Sequence, residues 1–271
     1  LKSKIIAITG VSEGFGRSLC KEYLELGANV FACARNIEEI KIEFQEYIGK
    51  NLLLLKADVS VESEVKSFVN DGINLFGGID VLINNAGIYG PKGNIDEIDW
   101  KEWKHAVNVN LFGSVYMARF VLPSMKKANK GKIIQMSGGG ATNPMPYLTS
   151  YAASKAAIVR FVESLSLEVR NHNIHVNAIA PGALNTRLLN EILEAGPNKV
   201  GNDFYNQSLK QKDEGGASMA NAIDLCKFLS SDLSDGISGK LISAQWDNWQ
   251  DWNQHLDELN NSDMYSLRRI T

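Results

Sequence analysis

Several residue types are scarce in this chain of 271 residues. Its three cysteines, Cys20, Cys33 and Cys226, lie too far apart for a C-x-x-C pair or a zinc ligand set. They read as small buried residues of a reducing compartment, not as a disulfide framework. The four histidines, His105, His172, His175 and His255, are scattered, and none pairs at metal-ligand spacing. No metal site is expected. No apolar run reaches about 18 residues, so no membrane-spanning helix is expected. There is no excess of basic residues: net charge is −3 and the pI is near 5.9. That leaves no electrostatic footprint for nucleic acid and no polybasic patch for a membrane surface. Residues 1–4 run straight into an apolar stretch, without room for a signal peptide, and a cytoplasmic protein is expected. Linkers, repeats and low-complexity segments are also missing, so a single domain over residues 1–271 is expected.

What the chain does have is 44% hydrophobic residues, much of it in short runs. Runs at 5–8, 29–34, 52–55, 81–83, 132–136, 175–180 and 240–243 read as strands, the most continuously apolar being buried on both faces. Helical patterns lie between them, at 15–26, 37–48, 62–76, 100–127 (one helix or two), 150–170 and 219–230. Ser150 is placed to cap the long helix at 150–170. Strands alternating with helices require crossover connections and a parallel sheet covered on both sides. The expected fold is therefore α/β, a Rossmann-type doubly wound sheet of about seven parallel strands. Two stretches break the alternation. Residues 184–217 are long and polar with weak helical pieces, and read as a substrate loop. The C-terminal extension 245–271 carries Trp246, Trp249 and Trp252, expected to pack on the domain edge; the alternative is one face of a helix.

The first strand ends in the turn Thr9-Gly10-Val11-Ser12-Glu13-Gly14-Phe15-Gly16, which opens a helix. Glycines there let a backbone approach a pyrophosphate closely, and the helix start offers free N–H groups and a positive dipole end. The second strand ends in Arg35 with no carboxylate at its tip. An arginine there suits a 2′-phosphate, so NADP is favoured, with NAD as the alternative; Glu13 opposes that choice by repulsion. Further on, Tyr151 and Lys155 stand four apart with small residues between them. On a helix both leave the same face. A lysine ammonium beside a tyrosine eases proton exchange at the phenol, so the pair reads as a general acid/base and its tuner.

Taken together and in order, these motifs resemble the short-chain dehydrogenase/reductase family, in the branch with a T-G-x-x-x-G-x-G fingerprint. The resemblance covers roughly residues 4–241. It rests on that fingerprint, D-V at Asp58-Val59, N-N-A-G at 84–87, N-V-N-L-F-G ending at Gly113, Y-x-x-x-K at 151–155, and P-G at Pro181-Gly182. It implies that Tyr151 trades a proton with the substrate oxygen. Lys155 would hold the nicotinamide ribose and lower the Tyr151 pKa, and Asn110 would anchor a proton-relaying water. Gly10, Ser12, Glu13, Gly14, Phe15 and Gly16 would cradle the cofactor pyrophosphate. Asp58 and Val59 would lie by the adenine, Asn85, Ala86 and Gly87 along the ribose, and Pro181, Gly182 and Thr186 by the nicotinamide.

One departure matters. The family usually has a serine thirteen residues before the tyrosine to hold the substrate carbonyl, and here that residue is Gly138. Ser137 is expected to take the role, with Thr142, Asn143 or a water as alternatives and backbone N–H groups of the glycine run as further donors. The end of the last strand also departs, reading Ala244-Gln245-Trp246-Asp247. The expected function is hydride transfer between NADP(H) or NAD(H) and a small alcohol or carbonyl substrate. The alternatives are a sugar-nucleotide epimerase or dehydratase, and a non-catalytic dinucleotide-binding sensor. By resemblance a homodimer or homotetramer is expected.

Overall fold

The computed structural model describes residues 1–269. Seven strands form one sheet: β1 (Ile5–Thr9), β2 (Asn29–Ala34), β3 (Leu52–Lys56), β4 (Val81–Asn84), β5 (Gly131–Met136), β6 (Ile174–Ala180) and β7 (Leu241–Ser243). All pairings are parallel, in the order β3-β2-β1-β4-β5-β6-β7. The helices are α1 (Gly14–Glu25), α2 (Glu38–Glu43), α3 (Glu62–Phe76), α4 (Trp100–Val107), α5 (Gly113–Ala128), α6 (Thr149–Val169), α7 (Arg187–Ala195), α8 (Pro197–Val200), α9 (Asn202–Glu214), α10 (Met219–Leu229) and α11 (Leu256–Asn260).

Successive strand side chains leave opposite faces, which sorts the core into two layers. Ile6 and Ile8 of β1 join Leu19 of α1 and Leu225 of α10 on one face. Ala7 between them joins Phe68 of α3, Met117 of α5 and Val159 of α6 on the other. That is why the central runs are apolar throughout instead of alternating. Among the described residues no helix is long and apolar enough to cross a membrane.

Four local expectations are narrowed or corrected. The helical pieces expected within residues 184–217 are three helices, α7, α8 and α9, which occupy most of the stretch. Residues 100–127 form two helices joined by a π-helical turn, Asn108–Phe112. Ser150 does not cap α6. It lies inside the first turn, and its hydroxyl donates to the Tyr89 carbonyl (3.2 Å). In the C-terminal extension Trp249 and Trp252 are buried against the edge, whereas Trp246 is 87% exposed, so the three share no common face. The Tyr265 carbonyl accepts from Leu241 N–H (2.7 Å), which covers part of the edge strand β7.

Candidate active site

The sheet order reverses between β1 and β4. Beyond their carboxyl ends opens a cleft of about 1110 Å³. One end of it is made of backbone. Gly10 has φ +72°, and a Cβ there would lie 2.7 Å from Ala86 Cα. A Cβ at Gly16 would overlap the Gly10 carbonyl. The Thr9 hydroxyl oxygen accepts from Asn85 N–H (3.0 Å) and Ala86 N–H (3.1 Å), and Asn85 Nδ2 donates back to the Thr9 and Gly10 carbonyls (3.0 and 2.9 Å). The two motif turns are thereby locked together. Among the described residues no side chain caps α1, whose first N–H groups are left for an anion.

Gly10, Ser12, Glu13, Gly14, Phe15, Gly16, Arg35, Asp58, Val59, Asn85, Ala86, Gly87, Pro181, Gly182 and Thr186 all line this one cleft. Arg35 stands exposed at its rim. Burial pushes the Asp58 carboxyl up, but hydrogen bonds from the Ser60 hydroxyl (2.7 Å) and N–H (2.9 Å) outweigh it and hold the group below its ordinary value. Thr186 packs near Gly14 at the far rim.

Tyr151 and Lys155 leave the same face of α6, as their spacing predicts. The Lys155 ammonium is buried and sits 5.4 Å from the Tyr151 ring centroid. It donates to the Met136 carbonyl (2.7 Å), its sole partner among the described residues. An ammonium has three N–H donors, so two remain for a ligand. Burial lowers its pKa to about 8. The Tyr151 phenol runs against expectation. Burial, and then Tyr89 beside it, push its pKa up from the ordinary tyrosine value. The physical reason is that Lys155 lies over the ring and its ammonium binds a backbone carbonyl, so no charge offsets the phenol's own desolvation.

Asn110 sits in the π-helical turn, buried, where an extra residue per turn re-aims the side chain. Its Oδ1 accepts from Ile88 N–H (2.9 Å) and its Nδ2 donates to the Ile88 carbonyl (2.8 Å). Asn110 thus pins the segment that follows the N-N-A-G turn. Ser137 is buried, and its hydroxyl donates to the Lys155 carbonyl of α6 (3.3 Å). The Thr142 hydroxyl donates to the Gly139 carbonyl (3.4 Å), and Asn143 donates to Thr142 (3.1 Å). Gly138 borders the acid: a Cβ there would lie 3.2 Å from the Tyr151 hydroxyl.

The other end of the cleft is made of side chains. Tyr89, Met145, Leu189, Ile192 and Phe204 line it, the last three carried on α7 and α9. Tyr89 meets Tyr151 edge to face, centroids 4.7 Å apart. Sequence reasoning missed Tyr89, Met145 and Gln245. Gln245 Nε2 donates to the Pro181 carbonyl (2.8 Å) and the Ser218 carbonyl (2.9 Å), tying the last strand to the P-G turn. The unusual strand end at 244–247 was the available signal for Gln245. Nothing in the sequence pattern marks Tyr89.

The short chain dehydrogenase family profile matches residues 4–196. A 3-ketodihydrosphingosine reductase of Bacteroides thetaiotaomicron is 37% identical over 221 residues, covering 79% of this chain and 78% of that protein. An 11-beta-hydroxysteroid dehydrogenase-like protein of Arabidopsis thaliana is 34% identical over 186 residues, covering 68% of this chain but only 60% of the plant protein. Among solved structures, a short-chain dehydrogenase/reductase from Saccharomyces cerevisiae superposes with a TM-score of 0.83 at 28% identity, over 95% of this chain and 99% of that one. ElxO with NADP bound superposes with a TM-score of 0.77 at 25% identity, over 89% and 97%.

Proposed function

Because the chain belongs to the short-chain dehydrogenase family, we propose that it is an oxidoreductase that uses NADP(H) to interconvert a carbonyl compound and an alcohol. NAD(H) is the alternative cofactor. The carrying observation is the Tyr151 phenol, set between the buried Lys155 ammonium and the backbone of Gly138, in the cleft that also holds the glycine turn.

The residues present fit a nicotinamide dinucleotide. Gly10 and Gly16 keep clear a cradle that side chains would fill, an uncapped helix start faces it, and Lys155 keeps two donors free. Arg35 at the rim supports the phosphorylated form, as does the NADP bound to ElxO. When bound, the cofactor supplies or accepts the hydride. The chain's own part is to position the substrate oxygen and handle its proton. The Tyr151 phenol, held above the ordinary tyrosine value by burial, carries its proton at neutral pH and can give it to the substrate oxygen. Lys155 holds the ribose and returns a proton toward Tyr151. Asn110 fixes Ile88 and anchors the relay water. The apolar end at Met145, Leu189, Ile192 and Phe204 takes the body of the ketone.

The test is absorbance at roughly 340 nm, where the reduced ring absorbs, across a panel of ketones with both cofactors. NADPH consumption by the native chain, abolished in Tyr151→Phe with NADPH affinity retained, is the expected result. Near-native turnover in Tyr151→Phe overturns the assigned acid. Tight NADPH binding without consumption on any ketone favours a sensor.

A further inference from the structure

A carbonyl oxygen that accepts a hydride's electron pair has two lone pairs, and Tyr151 serves one. The second donor is not an obvious one in this chain. Position 138 carries no side chain, and the nearby hydroxyls are committed elsewhere. Ser137 donates to the Lys155 carbonyl, Thr142 to the Gly139 carbonyl, Ser150 to the Tyr89 carbonyl, and Ser154 to the Ser150 carbonyl.

Tyr89 is different. It lines the cleft and stands against Tyr151, rings at 62° and centroids 4.7 Å apart. Its hydroxyl takes no hydrogen-bond partner among the described residues, only its backbone carbonyl being engaged. Its backbone is nonetheless fixed on both sides: the preceding Ile88 is gripped at N–H and C=O by Asn110, and the Tyr89 carbonyl is gripped by Ser150. The Lys92 ammonium lies over its ring, 5.7 Å from the centroid. A side chain so held, whose polar end has no protein partner, is pre-organised for a ligand. The two phenols also sense each other, since Tyr89 raises the Tyr151 pKa and burial pushes the Tyr89 phenol itself to about 12. Tyr89 therefore stays protonated and keeps a hydrogen to donate.

We propose that Tyr89 is the second hydrogen-bond donor to the substrate oxygen, completing a two-phenol site that replaces the side chain missing at Gly138. The inference rests on the reductase reading above. In the step, a C–H bond forms between the hydride and the carbonyl carbon, and the C=O π bond breaks. Its electron pair moves onto oxygen, and Tyr151 gives that oxygen its proton. The nicotinamide is oxidised and the ketone reduced. Tyr89 donates a hydrogen bond to the same oxygen throughout and loses no proton. Because its hydroxyl supports nothing in the fold, Tyr89→Phe removes the donor alone, while Tyr89→Leu removes the ring as well.

The experiment compares native chain, Tyr89→Phe and Tyr89→Leu for NADPH consumption on the best ketone of a panel, alongside NADPH affinity by fluorescence titration. The expected result is a fall in kcat of about 10²-fold in Tyr89→Phe, the size seen on losing one oxyanion donor. NADPH affinity is expected to stay within twofold and the ketone KM within about fivefold. Tyr89→Leu should lose at least as much. If Tyr89→Phe keeps kcat within threefold of native while Tyr89→Leu loses it, the ring only stacks on substrate and the donor role is overturned. If both stay near native, Tyr89 has no role. If no ketone of the panel makes the native chain consume NADPH, the reductase reading fails and the donor role falls with it.

Discussion

At the glycine-turn end of the cleft the wall is backbone, locked by two short polar side chains: Thr9 and Asn85 make side-chain hydrogen bonds of 2.9 to 3.1 Å to the backbone of Thr9, Gly10, Asn85 and Ala86, around positions that admit no side chain. At the helical end, Leu148, Ile192 and Val200 form a small buried cluster of their own, flanked by Tyr89, Met145 and Phe204. A backbone-built cradle recognises what all dinucleotides share, a pyrophosphate between two riboses. A side-chain-built wall can be recut residue by residue without touching that cradle. The two ends should therefore fail separately when mutated.

The largest effect is expected at Gly16. An alanine there drives its Cβ into the Gly10 carbonyl and Asn85 side chain, and backbone cannot yield as a flexible side chain can. Overpacking of that kind costs about 3 kcal/mol. NADPH binding measured by fluorescence should fall by 100-fold or more. By contrast Gly139→Ala, where a Cβ meets nothing within 4 Å, should bind as native. Equal behaviour of the two variants would mean the glycine turn is not a tight cradle.

Next is Ile192→Ala. Ile192 is 1% exposed in the small cluster of the helical end. Removing it costs about 2–4 kcal/mol of local packing. If the ends are separable, ketone KM rises at least tenfold while NADPH affinity stays within twofold. A parallel loss of both would merge the two regions into one.

Lys155 sharpens the comparison through stability. Its buried ammonium has a pKa of about 8 against 10.5 for an ordinary lysine. Below about pH 8 it is charged folded and unfolded, and folding bears the whole burial cost, about 3 kcal/mol from that gap. The cost disappears as pH rises toward 10.5, because the unfolded chain then binds the extra proton and folding is favoured by its release. Lys155→Met removes the burial cost but leaves the Met136 carbonyl unpaired, a loss of about 1 kcal/mol. At pH 7 the variant should therefore be about 2 kcal/mol more stable in urea, with the advantage shrinking by pH 9.5, and it should be inactive. A variant less stable than native at pH 7 would mean Lys155 is structural.

How much of this was legible beforehand follows the same division. The strands were readable because burial on both faces leaves continuous apolar runs, and the glycine turn because close approach excludes side chains. Tyr151 and Lys155 were readable because helical spacing alone puts them on one face. The helical end was not. Breaks at Gly196-Pro197 and Gly201 cut residues 187–214 into pieces, two of them short, whose stability comes from mutual packing, not from a long amphipathic stripe. Tyr89 carries no motif, since its position follows from Asn110 and Ser150 gripping the segment from two different helices. Ser137 marks the limit of spacing: motif position does not reveal that its hydroxyl donates to the Lys155 carbonyl of α6. The phenol's raised pKa was also outside the reach of sequence, because desolvation depends on what surrounds the ring.

The smallest effect is expected where the two ends touch. Arg187, at the start of α7, pairs with Glu13 in the glycine turn (2.7 Å) and with Glu191 on its own helix, which in turn pairs with Lys92 (3.1 Å). Arg187 and Glu13 are 41% and 51% exposed, so the clasp is worth below about 1 kcal/mol and weakens with salt. Its sign is informative. Glu13→Gln keeps a hydrogen-bond acceptor for Arg187 while removing a negative charge beside the pyrophosphate cradle, so NADPH should bind about twofold to fivefold more tightly at low salt. Arg187→Gln should bind more weakly by a similar factor. The double variant decides what Arg187 faces in the complex. If Arg187 turns from Glu13 to the cofactor, removing the Glu13 charge frees it, and the loss on Arg187→Gln is larger in the Glu13→Gln variant than in the native chain. Additive effects would leave the clasp as a surface ion pair and the two ends of the cleft independent.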